Sequence, residues 1–136
     1  MGYANTQIAI KTYVASDDII ISNDAVKTIT SDTYVIAKEI KLGADIGASS
    51  LFRFSYDMQR LVGGVANAYI SRNGVAQSGG NTNMGGWANF IEDLPTTNWA
   101  VGDVICLNCH GTLGNQMQVR NFRICGIGSE WINTLV

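Results

Sequence analysis

The string Cys106-Leu107-Asn108-Cys109-His110 has the C-x-x-C-H spacing that attaches a c-type haem, with two thioethers and the histidine as axial iron ligand. Attachment needs both sulfurs on one side of a compact, helix-like turn. The residues around the string alternate as a strand, which sends positions three apart to opposite faces. Gly111-Thr112-Leu113-Gly114 is a poor helix start, and His110 is the single histidine, leaving Met58, Met84 or Met117 as a sixth ligand. A zinc set of Cys106, Cys109, His110 and Cys125 meets the same obstacle, since adjacent Cys109 and His110 face opposite ways on a strand. Folding the last hairpin about Leu113 sets Cys106 near Arg120 and Cys125 near Val101, so neither finds a disulfide partner there. The reading is three free thiols acting as small apolar side chains beside a surface His110, with no cofactor and no metal. Haem on Cys106, Cys109 and His110 is kept as the second alternative.

Nothing else in the sequence resembles catalysis. A Ser/His/Asp triad must route through His110, and no G-x-S-x-G elbow is present. The carboxylate pairs Asp17-Asp18 and Glu92-Asp93 are strand neighbours facing opposite ways, so neither pair alone can flank a glycosidic bond. Asp17, Asp18, Asn23, Asp24 and Asp103 are oxygen ligands suited to calcium, but they form no D-x-D-x-D-G loop and read as turn residues. The expectation is a protein without enzymatic activity. Trp87 and Trp99, with Tyr3, Tyr13, Tyr34, Tyr56 and Tyr69, could supply a stacking platform for sugar rings, Trp87 and Trp99 being the first choice. The competing role for these two rings is to plug the end of a core. Trp131, Ile132, Leu135 and Val136 form an apolar tail that must close its own core or pack on a neighbour.

The elements that must position these residues are strands. The 136 residues suit one domain, 1–136, with an N-terminal strand or arm over 1–14 and the tail over 127–136. Fifteen Ile, ten Val and ten Thr against seven Leu favour strands, and fifteen Gly with one Pro suit many turns. Strands are expected over Gln7–Val14, the Ile19–Ile21 run, Ala25–Thr30, Thr33–Leu42, Phe52–Met58, Ala68–Arg72, Gly86–Leu94, Val104–His110 and Gln116–Gly126. Asn73-Gly74 has the residues of a type I′ hairpin turn, and Glu130 to Leu135 at most a helical turn. The fold expected is an all-β, antiparallel two-sheet sandwich of jelly-roll type with about eight strands.

Charged residues are 15% of the chain, the net charge is −2, and the nine Lys and Arg are scattered, which disfavours nucleic acid as a partner. No apolar run approaches a membrane span, and the N-terminus lacks the pattern of a signal peptide, which fits synthesis in a cytoplasm. Gly2 with Thr6 formally meets the permissive myristoylation pattern and carries little weight.

An ordered series of segments resembles a β-sandwich module of tailed-phage and prophage structural proteins, from about Ala15 to Gly126. It comprises Thr33-Tyr34-Val35 leading to Lys38-Glu39-Ile40-Lys41-Leu42, Phe52-Arg53-Phe54-Ser55-Tyr56-Asp57, Ala68-Tyr69-Ile70-Ser71-Arg72-Asn73-Gly74-Val75-Ala76, Trp99-Ala100-Val101-Gly102-Asp103-Val104-Ile105 and Val119-Arg120-Asn121-Phe122-Arg123-Ile124. The resemblance implies a virion component, such as a capsid decoration, fibre-base or tail-associated protein, made in the host cytoplasm. Its partners would be further copies of itself and other virion proteins. It brings no catalytic residues. Met1–Thr6 and the tail residues Trp131, Ile132, Leu135 and Val136 are the expected contacts. A carbohydrate-binding adhesion module on a cell-surface glycan is the first alternative.

Overall fold

A computed structural model describes residues 12–47, 49–112, 116–128 and 133–135, the last three by their backbone. The strands are β1 (Tyr13–Asn23), β2 (Lys27–Ile29), β3 (Val35–Leu42), β4 (Ser50–Arg60), β5 (Ala66–Arg72), β6 (Val75–Ala76), β7 (Asn81–Asn83), β8 (Ala88–Thr96), β9 (Val104–Gly111), β10 (Met117–Gly128) and β11 (Asn133–Leu135). One sheet has five strands in the order β1-β10-β4-β8, with β2 also on β10; the other has six in the order β11-β3-β9-β5-β6, with β7 also on β5. Every pairing is antiparallel.

The pairs β5–β6, β4–β8, β3–β9 and β1–β10 are nested around Asn73-Gly74, like the rungs of one long hairpin bent at that turn. Asn73 and Gly74 both take the positive φ, 49° and 83°, that a type I′ turn requires. Wrapping the long hairpin on itself adds the pairs β10–β4 and β9–β5, and this order is that of a jelly roll. The expected eight positions are therefore present, but they are filled by eleven strands. β2 continues the β1 edge along β10, β6 and β7 share the edge beside β5, and β11 adds a strand beyond β3.

Side-chain alternation sets the two faces. Phe52, Phe54, Tyr56 and Met58 of β4 are buried between the sheets, while Arg53, Ser55 and Asp57 point out. They meet Ile40, Leu42, Ala66, Ala68, Ile70, Ile105, Leu107 and Cys109 from the opposite sheet in one core. Tyr13, Phe54 and Trp99 surround Phe52 with ring centroids 4.9, 6.4 and 6.4 Å away. A bulge between Ile36 and Lys38 changes the phase of β3, so that Lys38 turns inward and donates from Nζ to Asn23 Oδ1 at 3.1 Å and to the Ala25 carbonyl.

Three expectations are corrected. β9 and β10 are not a hairpin, because the jelly-roll wrap puts them in different sheets. Asn133–Leu135 is a strand rather than part of a helical turn, since it completes the backbone ladder at the edge of β3, with Leu135 opposite Ile40. The first described strand begins at Tyr13 and absorbs the Ile19–Ile21 run, its period broken by bulges between Val14 and Ile21. The expected strand over residues 7–14 falls largely outside the described residues.

Candidate functional site

In β9, Ile105, Leu107 and Cys109 enter the core, whereas Cys106, Asn108 and His110 lie on the outer face. Cys106 and Cys109 therefore point to opposite faces, which rules out a shared haem edge without rebuilding the strand. Cys125 stands on β10 in the other sheet and completes no tetrahedral set. Among the described residues no cluster of three His, Cys, Asp or Glu could hold a metal ion. All three cysteines are free and buried. Burial pushes each thiol up; at Cys106 the Glu39 carboxylate adds to this against a bond from Ser71, and Cys109 is raised furthest. Since the thiolate is the reactive form, the folded protein is expected to react with an aromatic disulfide at least about tenfold more slowly than the denatured chain, which should titrate three thiols.

Trp99, named as a glycan platform, is corrected to a core residue: it is 2% exposed and packs on Phe52 and Phe54, so no face remains for a sugar. Trp87 is half-buried, with the Arg120 guanidinium carbon 4.0 Å from its ring centroid. Of the expected interface residues, Trp131, Ile132 and Val136 lie outside the described residues, as do Met1–Thr6, and Leu135 is placed by its backbone alone. The calcium candidates are not brought together, since Asp17, Asp24 and Asp103 each face a different arginine: Arg53, Arg123 and Arg72.

The outer face of the five-stranded sheet carries an ion-pair ladder that no linear motif announced. Arg53 forks onto Asp93 at 2.9 and 3.1 Å and reaches Asp17 at 2.8 Å; Arg123 bonds Asp24 at 3.0 and 3.2 Å. Asn121, at a bulge in β10 with φ 55°, donates to Asp57 together with Asn89 and Arg120. Burial raises the Asp57 carboxyl, but these bonds outweigh it and hold the group below the usual carboxylate range. Exposed pairs of this kind contribute about 0–1 kcal/mol each, so the ladder orders the surface more than it stabilises it. A shallow cavity of about 230 Å³ lies here, lined by Asp17, Ile19, Arg53, Ser55, Ile91 and Cys125 among others. At the end of the same face Val14 pairs with Ile127 and Leu51 with Pro95. Val14 is 65% and Ile127 58% exposed, and Ile19 and Ile91 are also more than half exposed.

Glu92 of β8 turns toward the interior, while its neighbour Asp93 faces out, as strand alternation requires. Its Oε2 is buried without a hydrogen-bond partner. Burial pushes the carboxyl up, against the opposing pull of Ser78 and Asn81. Because the folded state holds this proton more tightly than the unfolded chain, the cost of Glu92 is absent in acid and grows as pH rises above the ordinary glutamate range near about 4.3. Glu92→Gln is expected to stabilise the protein at pH 7 by about 1 kcal/mol and to leave it unchanged near pH 3, as read by urea denaturation at both values.

The outer face of the six-stranded sheet gathers aromatic rings. Tyr34 meets Tyr69 edge-on at 4.7 Å and His110 at 4.2 Å. Asn67 lies opposite His110, and both Ile36 and Tyr69 lie opposite Asn108. Tyr34 and Tyr69 were among the sequence-level aromatic candidates, but only strand register shows which of those rings meet. His110 was read as a bland surface residue, since a lone histidine carries no sign of its neighbours.

Strand order and core packing together define a jelly-roll β-sandwich. No family model, curated protein or solved structure matches the chain.

Proposed function

We propose that the chain is a non-enzymatic structural subunit of a phage-type particle, such as a capsid decoration, fibre-base or tail-associated component. It works by self-association and by docking on other particle proteins. The ordered series of segments running from Thr33 to Ile124 supports this reading at the level of sequence. The observation that carries it furthest is the apolar group Val14, Ile127 and Leu51, with Ile19 beside it, exposed among the described residues at one end of the five-stranded sheet's outer face. An isolated soluble domain gains nothing from holding such a patch in water, whereas a repeated subunit gains by covering it.

Light scattering at about 50 μM, within the concentration range where stable interfaces are populated, tests the self-association. A defined oligomer that dissociates in Ile127→Asp is the expected result, and a monomer overturns self-association. Antibody labelling of particles in electron micrographs tests the docking; a label absent from particles and confined to the soluble fraction overturns it. The segment from Trp131 to Val136, which contains β11, is proposed as a further contact. Its deletion is expected to weaken the oligomer, and an unchanged mass and unchanged particle binding would remove it from the interface.

A further inference from the structure

We propose that the outer face of the six-stranded sheet around Tyr34, Tyr69 and His110 is a binding site for a neutral saccharide. Tyr34 offers the ring: it is 46% exposed, and Tyr69 and His110, each nearly perpendicular to it, fix its plane. The C–H face of a pyranose packs against such a ring through apolar contact.

The side chains around the ring carry the hydroxyls of Tyr34, Tyr69 and Thr82, the amides of Asn67 and Asn108 and one imidazole, a mixed set of donors and acceptors that sets the ligand class. His110 Nδ1 lies 2.9 Å from the Gly111 carbonyl, which can only accept, so Nδ1 donates there and the ring is held in place. Asn108 donates through Nδ2 to Ser71 Oγ at 2.8 Å, and Asn67 through Nδ2 to the Val65 carbonyl at 3.3 Å. Asn67 Nδ2 also reaches the His110 carbonyl at 3.5 Å, which leaves Oδ1 as the remaining atom of that amide, whereas Asn108 is 8% exposed and supports the face from below. Sugar hydroxyls, which both donate and accept, suit such a mixed set. No arginine or lysine occupies the cross-strand rows His110, Asn67, Thr82 and Ile36, Asn108, Tyr69 beside Tyr34, so an anionic sugar finds no counter-charge there. The site stands apart from the apolar face invoked for assembly, since it belongs to the other sheet.

The test is amide chemical-shift mapping of the full chain with neutral probes, namely oligomers of glucose, galactose and N-acetylglucosamine, and with an oligosialic acid as the anionic control. Shifts confined to Asn67, Tyr69, Asn108, His110 and their neighbours with at least one neutral oligomer are expected, with Kd on the order of 1 mM. Tyr34→Ala, which removes an exposed ring, should weaken that binding at least about tenfold, while Trp87→Ala leaves it unchanged. Asn67→Ala is a second variant in case Tyr34→Ala fails to fold, and it too should weaken binding. Absence of shifts with all neutral probes, shifts that survive both site variants, or a preference for the sialic acid oligomer would overturn the proposal. None of these outcomes bears on the oligomeric state, so this site and the assembly reading stand or fall separately.

Discussion

Trp99→Ala is expected to lower the stability of the folded chain by about 3–5 kcal/mol, the range for removing a large buried aromatic ring. The indole is 2% exposed, and its neighbours Phe52 and Phe54 belong to the inner face of β4, in the core between the two sheets. The midpoint of urea denaturation should fall with an unchanged slope, and the melting temperature by more than about 10 °C. Trp87→Ala is the companion measurement. That ring is half-buried under a guanidinium, and its removal should cost about 1 kcal/mol. If Trp99→Ala cost no more than Trp87→Ala, the ring would have to be accessible, and the glycan-platform reading of Trp99 would return.

Asp103→Ala is expected to cost about 3 kcal/mol at pH 7, because one small carboxylate serves three donors at the mouth of the sandwich. It accepts from Arg72 Nε at 2.7 Å, Asn73 Nδ2 at 2.9 Å and the Ala100 amide at 2.8 Å. Asn73 in turn bonds both the amide and the carbonyl of Val104, so the carboxylate locks the central turn of the nested hairpin onto the start of β9. Burial raises the Asp103 carboxyl, but the bonds from Ala100, Asn73 and Arg72 outweigh it and hold the group below the usual range. Its contribution is therefore complete above the unfolded aspartate pKa near about 3.9 and fades as pH falls through the lower folded value. Denaturation at pH 7 and near pH 2 should show the difference between wild type and Asp103→Ala shrinking in acid. The Arg72 guanidinium carbon also lies 5.8 Å from the Trp99 ring centroid, so Asp103→Ala and Trp99→Ala should combine non-additively. A constant difference at both pH values would assign the loss to packing instead of to the carboxylate.

The parts of the fold legible in the sequence were those fixed by near neighbours. The alternation of Phe52, Phe54, Tyr56 and Met58 places β4 because a two-residue period is a local property, and Asn73-Gly74 marks its turn because both residues take positive φ. Which sheet a strand joins is not local. Val104–His110 and Gln116–Gly126 look like a hairpin until the wrapping of the chain separates them. Bulges hid β1 by breaking its period, and the short β11 is set by the open edge of β3 more than by its own residues. The candidate surfaces were less legible still. Arg53 finds Asp17 and Asp93 at separations of 36 and 40 residues, and Tyr34, just before β3, meets His110 of β9. The C-x-x-C-H string, conspicuous in one dimension, is divided by the pleat of β9 into a core thiol and an outer one.

Nesting around Asn73-Gly74 also orders the assembly of the molecule in time. Arg72 and Val75 meet across the turn itself, whereas Tyr13 meets Gly128 across nearly the whole chain. Closing the longer loops costs chain entropy before their contacts can recover it, and topologies dominated by such contacts fold slowly. The β5–β6 turn is expected to form early and the β1–β10 pairing late, so changes at Asn73 should mainly slow folding and changes at Ile21 mainly speed unfolding. β1 and β10 are then expected to act as a seam that closes last, so the lifetime of the folded molecule should respond most to changes along that pairing.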